Sequence, residues 1–178
     1  MAVDKAMRLT ILTTGGTIDK TYDEFQGSLR NEYSVIDVIL DGLRLPDLEI
    51  NHVDAMHKDS LDLTEGDREI IARAVREAAS SSDAIVILHG TDTLSETGEL
   101  LFERCSDLEI PVVLTGAMRP YEFRDTDALQ NVTEALLASR LLDRGIYVAM
   151  HNRVLKFPGV RKDRQARTFV RNGRRCSE

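Results

Sequence analysis

The sequence predicts an α/β domain with a mostly parallel sheet, and three observations predict it. Short apolar runs alternate with segments of helical periodicity along the chain. Runs such as AIVIL at 84–88 and PVVL at 111–114 are apolar throughout, as strands buried on both faces are. Small and polar residues follow every run, which suits loops at one edge of such a sheet. At 178 residues, 42% apolar and 30% charged, the chain fits one globular domain over 1–178.

The elements follow in order. Residues 8–13 (RLTILT) read as a β-branched strand closed by Gly15 and Gly16. Residues 19–32 (DKTYDEFQGSLRNE) are polar, lack either periodicity and read as a mobile lid. A helix is predicted over 34–43, ending near Gly42, and an alternating strand over 48–54 (LEINHVD). Residues 64–80 carry Ile70, Ile71, Ala74, Val75 and Ala78 at helical spacing, with Thr64 and Asp67 as an N-terminal cap. The strand at 84–88 leads to a helix over 93–104, for which Thr93 and Glu96 form a capping box. The strand at 111–114, a helix over 125–142 and a strand at 145–150 (GIYVAM) complete a right-handed alternation. There is no internal repeat or low-complexity block.

Composition excludes several classes. No apolar run approaches the roughly 20 residues of a membrane span, and MAVDKAMRLT lacks the layout of a secretory signal. Cys105 and Cys176 are too few for a disulfide framework, so a cytoplasmic, reducing environment is expected. The net charge is −7, unevenly placed. Residues 151–178 hold nine Lys/Arg against two Asp/Glu, net +7, while 1–150 hold 14 against 28, net −14. A basic tail from about 161 can signal nucleic acid. It lacks interleaved aromatics, however, and the acidic body would repel phosphates, so no nucleic acid partner is expected. Pairing of the tail with an acidic surface of its own domain or of a partner subunit is the simpler reading.

The strand-following segments hold an inventory suited to chemistry: Thr14-Gly15-Gly16-Thr17, Asp59-Ser60-Leu61-Asp62, His89-Gly90-Thr91-Asp92-Thr93, Thr115-Gly116-Ala117-Met118-Arg119-Pro120, then His151-Asn152 and Lys162. Two glycines before Thr17 let backbone approach a substrate closely; alone they also suit a tight turn. Thr91-Asp92 alone also suits a helix start. A lysine beside a hydroxyl and a carboxylate is a route to an activated nucleophile, since a partly desolvated lysine can accept a proton. Dinucleotide and P-loop glycine patterns are absent. His52 and His57 flank Asp54, but five-residue spacing on a strand sends their rings to opposite faces, so no metal is expected. His89 and His151 read as hydrogen-bonded structural residues rather than bases.

Thr14-Gly15-Gly16-Thr17-Ile18, His89-Gly90-Thr91-Asp92-Thr93 and Thr115-Gly116-Ala117-Met118-Arg119-Pro120 resemble the signature blocks of the bacterial-type L-asparaginase/glutaminase family. The resemblance runs from about Arg8 to Lys162. Length and the segment Lys58-Asp59-Ser60-Leu61-Asp62 are most similar to the short-chain, single-domain members. The resemblance implies a three-layer α/β/α domain like the N-terminal domain of the two-domain members. It also implies an amidohydrolase acting on L-asparagine, with no cofactor, assembled as a homodimer or homotetramer. Thr17 would be the nucleophile and Tyr22 its hydrogen-bonding partner on the lid. Thr91, Asp92 and Lys162 would form a second polar triad. Gly16, Ser60, Asp62, Gly90, Thr91, Asp92 and Ala117 would line the substrate site. Ser60 and Thr91 would hold the α-carboxylate, Asp92 the α-ammonium, and backbone N–H groups near Thr91 and Ala117 the oxyanion. Leu61 stands where longer members carry glutamine, which implies weaker binding and little activity on glutamine. Alternatives of other kinds are a subunit of a tRNA-dependent amidotransferase and a non-catalytic module binding an acidic amino acid.

Overall fold

A computed structural model describes residues 6–171. The chain runs β1 (Met7–Gly15), a 3-10 turn (Thr17–Asp19), β2 (Lys20–Asp23), β3 (Ser28–Asn31), α1 (Ile36–Asp41), β4 (Leu48–Lys58), a second 3-10 turn (Ser60–Asp62) and α2 (Glu65–Ala79). It continues through β5 (Ala84–Leu88), α3 (Leu94–Cys105), β6 (Pro111–Thr115), α4 (Ala128–Leu141), β7 (Gly145–Met150), β8 (Arg153–Lys156), β9 (Val160–Asp163) and β10 (Thr168–Arg171). The main sheet has the order β4-β1-β5-β6-β7-β8. Its pairings are parallel except for the antiparallel edge strand β8. This is the three-layer, mostly parallel architecture that the apolar runs predict.

The strand alternation divides the core in two. In β5, Ala84, Val86 and Leu88 face a layer with Ile36, Ile39, Val132 and Ala135 of α1 and α4. Ile85 and Ile87 face Ile71 and Val75 of α2 and Leu94 and Leu101 of α3. Because both faces are covered, β5 is buried along its whole length. Among the described residues no helix is long and apolar enough to cross a membrane.

Several local expectations are corrected. The capping box of Thr64 and Asp67 is present on α2, but that of Thr93 and Glu96 is not. The Thr93 hydroxyl donates instead to the Ser60 carbonyl at 2.7 Å, and Glu96 pairs with Arg68 at 2.7 Å. Helix α1 is shorter than the predicted 34–43, because Ser34 and Val35 are held by the Asp19 carboxylate. The polar stretch 19–32 is not irregular: β2 and β3 pair as an antiparallel hairpin. Residues 161–171 are no loose tail either. They build the β9–β10 hairpin, whose Val160 and Phe169 are buried against the α2–α3 side. The rest of the tail, including Cys176, lies outside the described residues.

Packing at Gly98 of α3 is tight, since an added Cβ would lie 2.1 Å from the buried ring of Phe157. Gly98→Ala is expected to lower stability by about 1–3 kcal/mol through overpacking. Gly66→Ala, whose Cβ would meet only the Thr64 hydroxyl at 3.7 Å, should raise it by ~0.5 kcal/mol. Urea midpoints of the two variants check the pair.

Candidate functional site

The loops leaving the carboxyl ends of β1, β4, β5 and β6 meet through backbone. Gly15 and Gly16 have φ of +89° and +87°, a region that disfavours side chains. A Cβ on Gly16 would fall 2.4 Å from the Cα and N of Gly90, and one on Gly90 would fall 2.6 Å from the Ser60 side chain. A Cβ on Gly116 would lie 2.2 Å from the His89 carbonyl oxygen. The Gly16 N–H donates to the Lys58 carbonyl at 2.9 Å. Thr17 and Thr91 each follow one of the touching glycines, while Ser60 and Ala117 are buried at the same junction.

Lys162 enters from the β9–β10 hairpin. Its Nζ donates to Thr91 Oγ1 at 2.8 Å and to Asp92 Oδ1 at 3.1 Å. Arg164 of the same hairpin approaches Asp92 at 3.2 Å. Thr91 is 2% exposed and its hydroxyl also lies 3.6 Å from Met118 Sδ. Thr91, Asp92 and Lys162 are thus brought into the predicted triad. Thr17 is partly exposed, and no side chain among the described residues hydrogen-bonds its hydroxyl.

Two predicted residues stand apart. Tyr22 is 55% exposed. Its hydroxyl sits near the hairpin tip, 3.8 Å from where a Cβ on Gly27 would be, and makes no hydrogen bond to Thr17. Asp62 is exposed and lines a polar cleft of about 400 Å³ with Lys20, Asp59 and His57.

Several contributors escaped the sequence reading. Lys20 joins Asp59 at 2.6 Å, tying the hairpin to the turn that carries Ser60. Burial pushes the Asp59 carboxyl upward, but the Lys20 ammonium and the Leu61 N–H outweigh it and hold it below the usual range. The Tyr22 N–H donates to Glu122 at 2.7 Å, tying the hairpin to the loop after β6.

The histidines settle into structural roles, with one correction. His89 is fully buried; its Nδ1–H donates to the Gly90 carbonyl and its Nε2 meets Thr97 Oγ1, both at 2.8 Å. Burial first, with nearby Arg68, lowers its pKa to about 4, so the ring is neutral. His151 joins Asp127 at 2.8 Å and Thr168 at 3.2 Å. His52 and His57 are not separated by the sheet. A register slip sets Thr13 opposite Asp54 but Gly15 opposite Lys58. His57 consequently reaches Asp54 at 2.7 Å, while His52 reaches Thr13, whose hydroxyl donates to that same Asp54 at 3.3 Å. Among the described residues no three acidic, His or Cys side chains are grouped to hold a metal ion.

A family profile described as "Asparaginase, N-terminal" matches residues 8–170. An L-asparaginase of Thermococcus kodakarensis is 38% identical over 151 residues, 84% of this chain and 45% of that protein. A glutamyl-tRNA(Gln) amidotransferase component of Methanococcus maripaludis is 30% identical over 149 residues, 83% of this chain and 35% of that protein. Among solved structures, the thermostable L-asparaginase of T. kodakarensis superposes with a TM-score of 0.84 at 37% identity, covering 93% of this chain and 51% of that one. The chain therefore spans less than half the length of these two curated relatives.

Asp19, two residues after Thr17, is fully buried. Its Oδ1 accepts from Ser34 Oγ at 3.0 Å and the Val35 N–H at 2.9 Å, while Oδ2 has no donor among the described residues. Burial raises its pKa from 3.8 to about 6; the bonds from Val35 and Ser34 and the nearby His57 oppose this, and Asp54 adds to it. The folded state therefore favours the protonated form. That contribution to stability is fully present below pH 3.8 and is lost as pH rises through about 6. Roughly two pH units at 1.36 kcal/mol each make the loss about 3 kcal/mol. Asp19→Asn should flatten the stability profile across this window, as read by urea unfolding at several pH values. Parallel profiles for variant and parent would contradict the assignment.

Proposed function

The chain belongs to the asparaginase family, and on that premise we propose that it hydrolyses L-asparagine to L-aspartate and ammonia. The observation that carries the proposal is the contact of Lys162 with Thr91 and Asp92, beside the point where the Gly16–Gly90 crossing presents Thr17.

In the proposed reaction Thr17 Oγ attacks the side-chain amide carbon. Its proton passes through the Thr91–Lys162 pair and onward to the leaving nitrogen. Ammonia departs and Thr17 holds the β-aspartyl ester. Water then attacks, returning the proton to Thr17 and releasing aspartate. The oxyanion is received by the N–H groups of Thr91 and Ala117, at a cost of about 3–4 kcal/mol for each donor lost. The Ala117 N–H suits this role because Asp127 engages those of Met118 and Arg119 but not that of Ala117. Buried Ser60 and the Asp92 carboxylate suit the α-carboxylate and α-ammonium. The β2–β3 hairpin acts as the lid, and its closure brings Tyr22 to Thr17. Leu61 is 66% exposed and offers no side-chain hydrogen bond, which supports little activity on glutamine. We read the protein as a homo-oligomer; exposed Leu129, Leu137 and Leu141 on α4 give such an assembly a surface.

The likeness to a tRNA-linked amidotransferase favours a second reading, in which the amide chemistry serves a partner-bound substrate. Ammonia release by the purified chain from L-asparagine, L-glutamine and D-asparagine separates the two. Release from L-asparagine, at least tenfold faster than from L-glutamine, is expected. Thr17→Ala and Lys162→Met should each lower kcat by at least about a hundredfold. An inactive parent chain, or a Thr17→Ala variant as fast as the parent, would overturn the proposal.

A further inference from the structure

Asp127 occupies the residue before α4, where a carboxylate ordinarily accepts from the first turn of the helix. It makes no such bond; the Ala128 N–H is met by Thr126 Oγ1 at 3.1 Å instead. The Asp127 carboxylate turns to the loop after β6. It accepts the Met118 N–H on both oxygens and the Arg119 N–H on one, all at 3.0 Å. Asn131 Nδ2 donates to it at 2.8 Å and also to the Gly116 carbonyl at 2.9 Å. Residues 116–119 are therefore held on both sides of Ala117.

His151 braces this carboxylate. A carboxylate accepts only, so Nε2–H of His151 donates to Asp127 at 2.8 Å, and Nδ1 rests 3.2 Å from Thr168 Oγ1 on β10. The backbone is strained to place this ring: His151 and Asn152 have φ of +56° and +59°. Their N–H groups are secured by Asn131 Oδ1 at 3.1 Å and Glu134 Oε2 at 2.8 Å. Burial would raise the Asp127 pKa, but the bonds from His151, Met118, Arg119 and Asn131 outweigh it and hold it at about 2, so the brace stays ionised. Thr168 is 7% exposed, so the Thr–His–Asp line is no nucleophile array open to substrate.

We propose that Asp127 and His151 are positioning residues that fix residues 116–119 so that the Ala117 N–H faces the developing oxyanion. The inference rests on the amidohydrolase reading and deepens it, because it says what holds one half of the oxyanion site. Asp127→Asn and His151→Ala leave Thr17, Thr91, Asp92 and Lys162 in place. Each should lower kcat on L-asparagine by about tenfold to a hundredfold while KM changes less than about threefold, since a donor displaced by about 1 Å harms the transition state most. His151→Gln, whose amide N–H can still donate to Asp127, should recover most of the rate.

Amide hydrogen exchange at Met118 and Arg119 gives a readout that needs no activity. Exchange there should quicken at least about tenfold in Asp127→Asn and His151→Ala, and return toward the parent rate in His151→Gln, with Ala84–Leu88 still protected. Unchanged exchange at those two amides, or a parent-like kcat in an active chain, overturns the positioning role. A parent chain that releases no ammonia overturns the amidohydrolase reading instead, while the exchange result still decides what Asp127 holds. Should Asp127→Asn fail to fold, the His151 pair carries the same test.

Discussion

The arrangement of the site depends on steric closeness between loops that could not approach if they carried side chains. Gly16 rests on Gly90, Gly90 on Ser60, and Gly116 on the His89 carbonyl, each too near for a Cβ. A parallel sheet delivers loops to one edge, but it leaves them about a strand spacing apart, near 4.8 Å. Removing the Cβ at three crossings brings Gly16 and Gly116 against backbone and Gly90 against the Ser60 side chain. Thr17 and Thr91, each next in sequence to one of the two glycines in contact, are thereby brought close together.

Neutral His89 supports the crossing from beneath. It sits fully buried, with both ring nitrogens engaged by the Gly90 carbonyl and the Thr97 hydroxyl. A charged ring at this depth would cost several kcal/mol without a partner. The lowered pKa and the two neutral partners agree on one arrangement, which fixes the Gly90 peptide immediately before Thr91. Lys20–Asp59 on one side and Tyr22 N–Glu122 on the other link the β2–β3 hairpin to two of the converging loops. The hairpin is thus tied to the loops that carry Ser60 and Ala117.

What was legible in the sequence divides along physical lines. Elements whose stability is local or follows a simple period were read well: AIVIL and PVVL as doubly buried strands, and the Thr64–Asp67 cap of α2. Elements stabilised by tertiary partners were not. β2 and β3 are short and polar, and their pairing is not signalled by alternation. Thr93 and Glu96 match a capping pattern, yet Ser60 and Arg68, distant in sequence, compete for them and win. The slip that joins His57 to Asp54 breaks the period of two on which the opposite-face argument relied. Asp127 was hidden for a related reason: it falls inside the helix predicted over 125–142, and only the fold places it before α4 with its carboxylate turned to the loop after β6.

Lys162 illustrates both sides of this division. Its residue type, following the last strand of the alternation, marked it as a partner for Thr91, but 71 residues separate the two. What carries the amine across that distance is apolar burial. Val160 and Phe169, on the two strands of the β9–β10 hairpin, sink into the α2–α3 side of the core and leave Lys162 on the hairpin edge at Thr91. Burying side chains of that size contributes roughly 1.5–3 kcal/mol each, more than an exposed ion pair supplies. The salt bridge of Asp92 with the exposed Arg164 therefore orients the hairpin more than it holds it, whereas the Lys162–Asp92 pair is largely shielded from water. The contact of Lys162 with Thr91 thus depends on two buried apolar anchors, Val160 and Phe169.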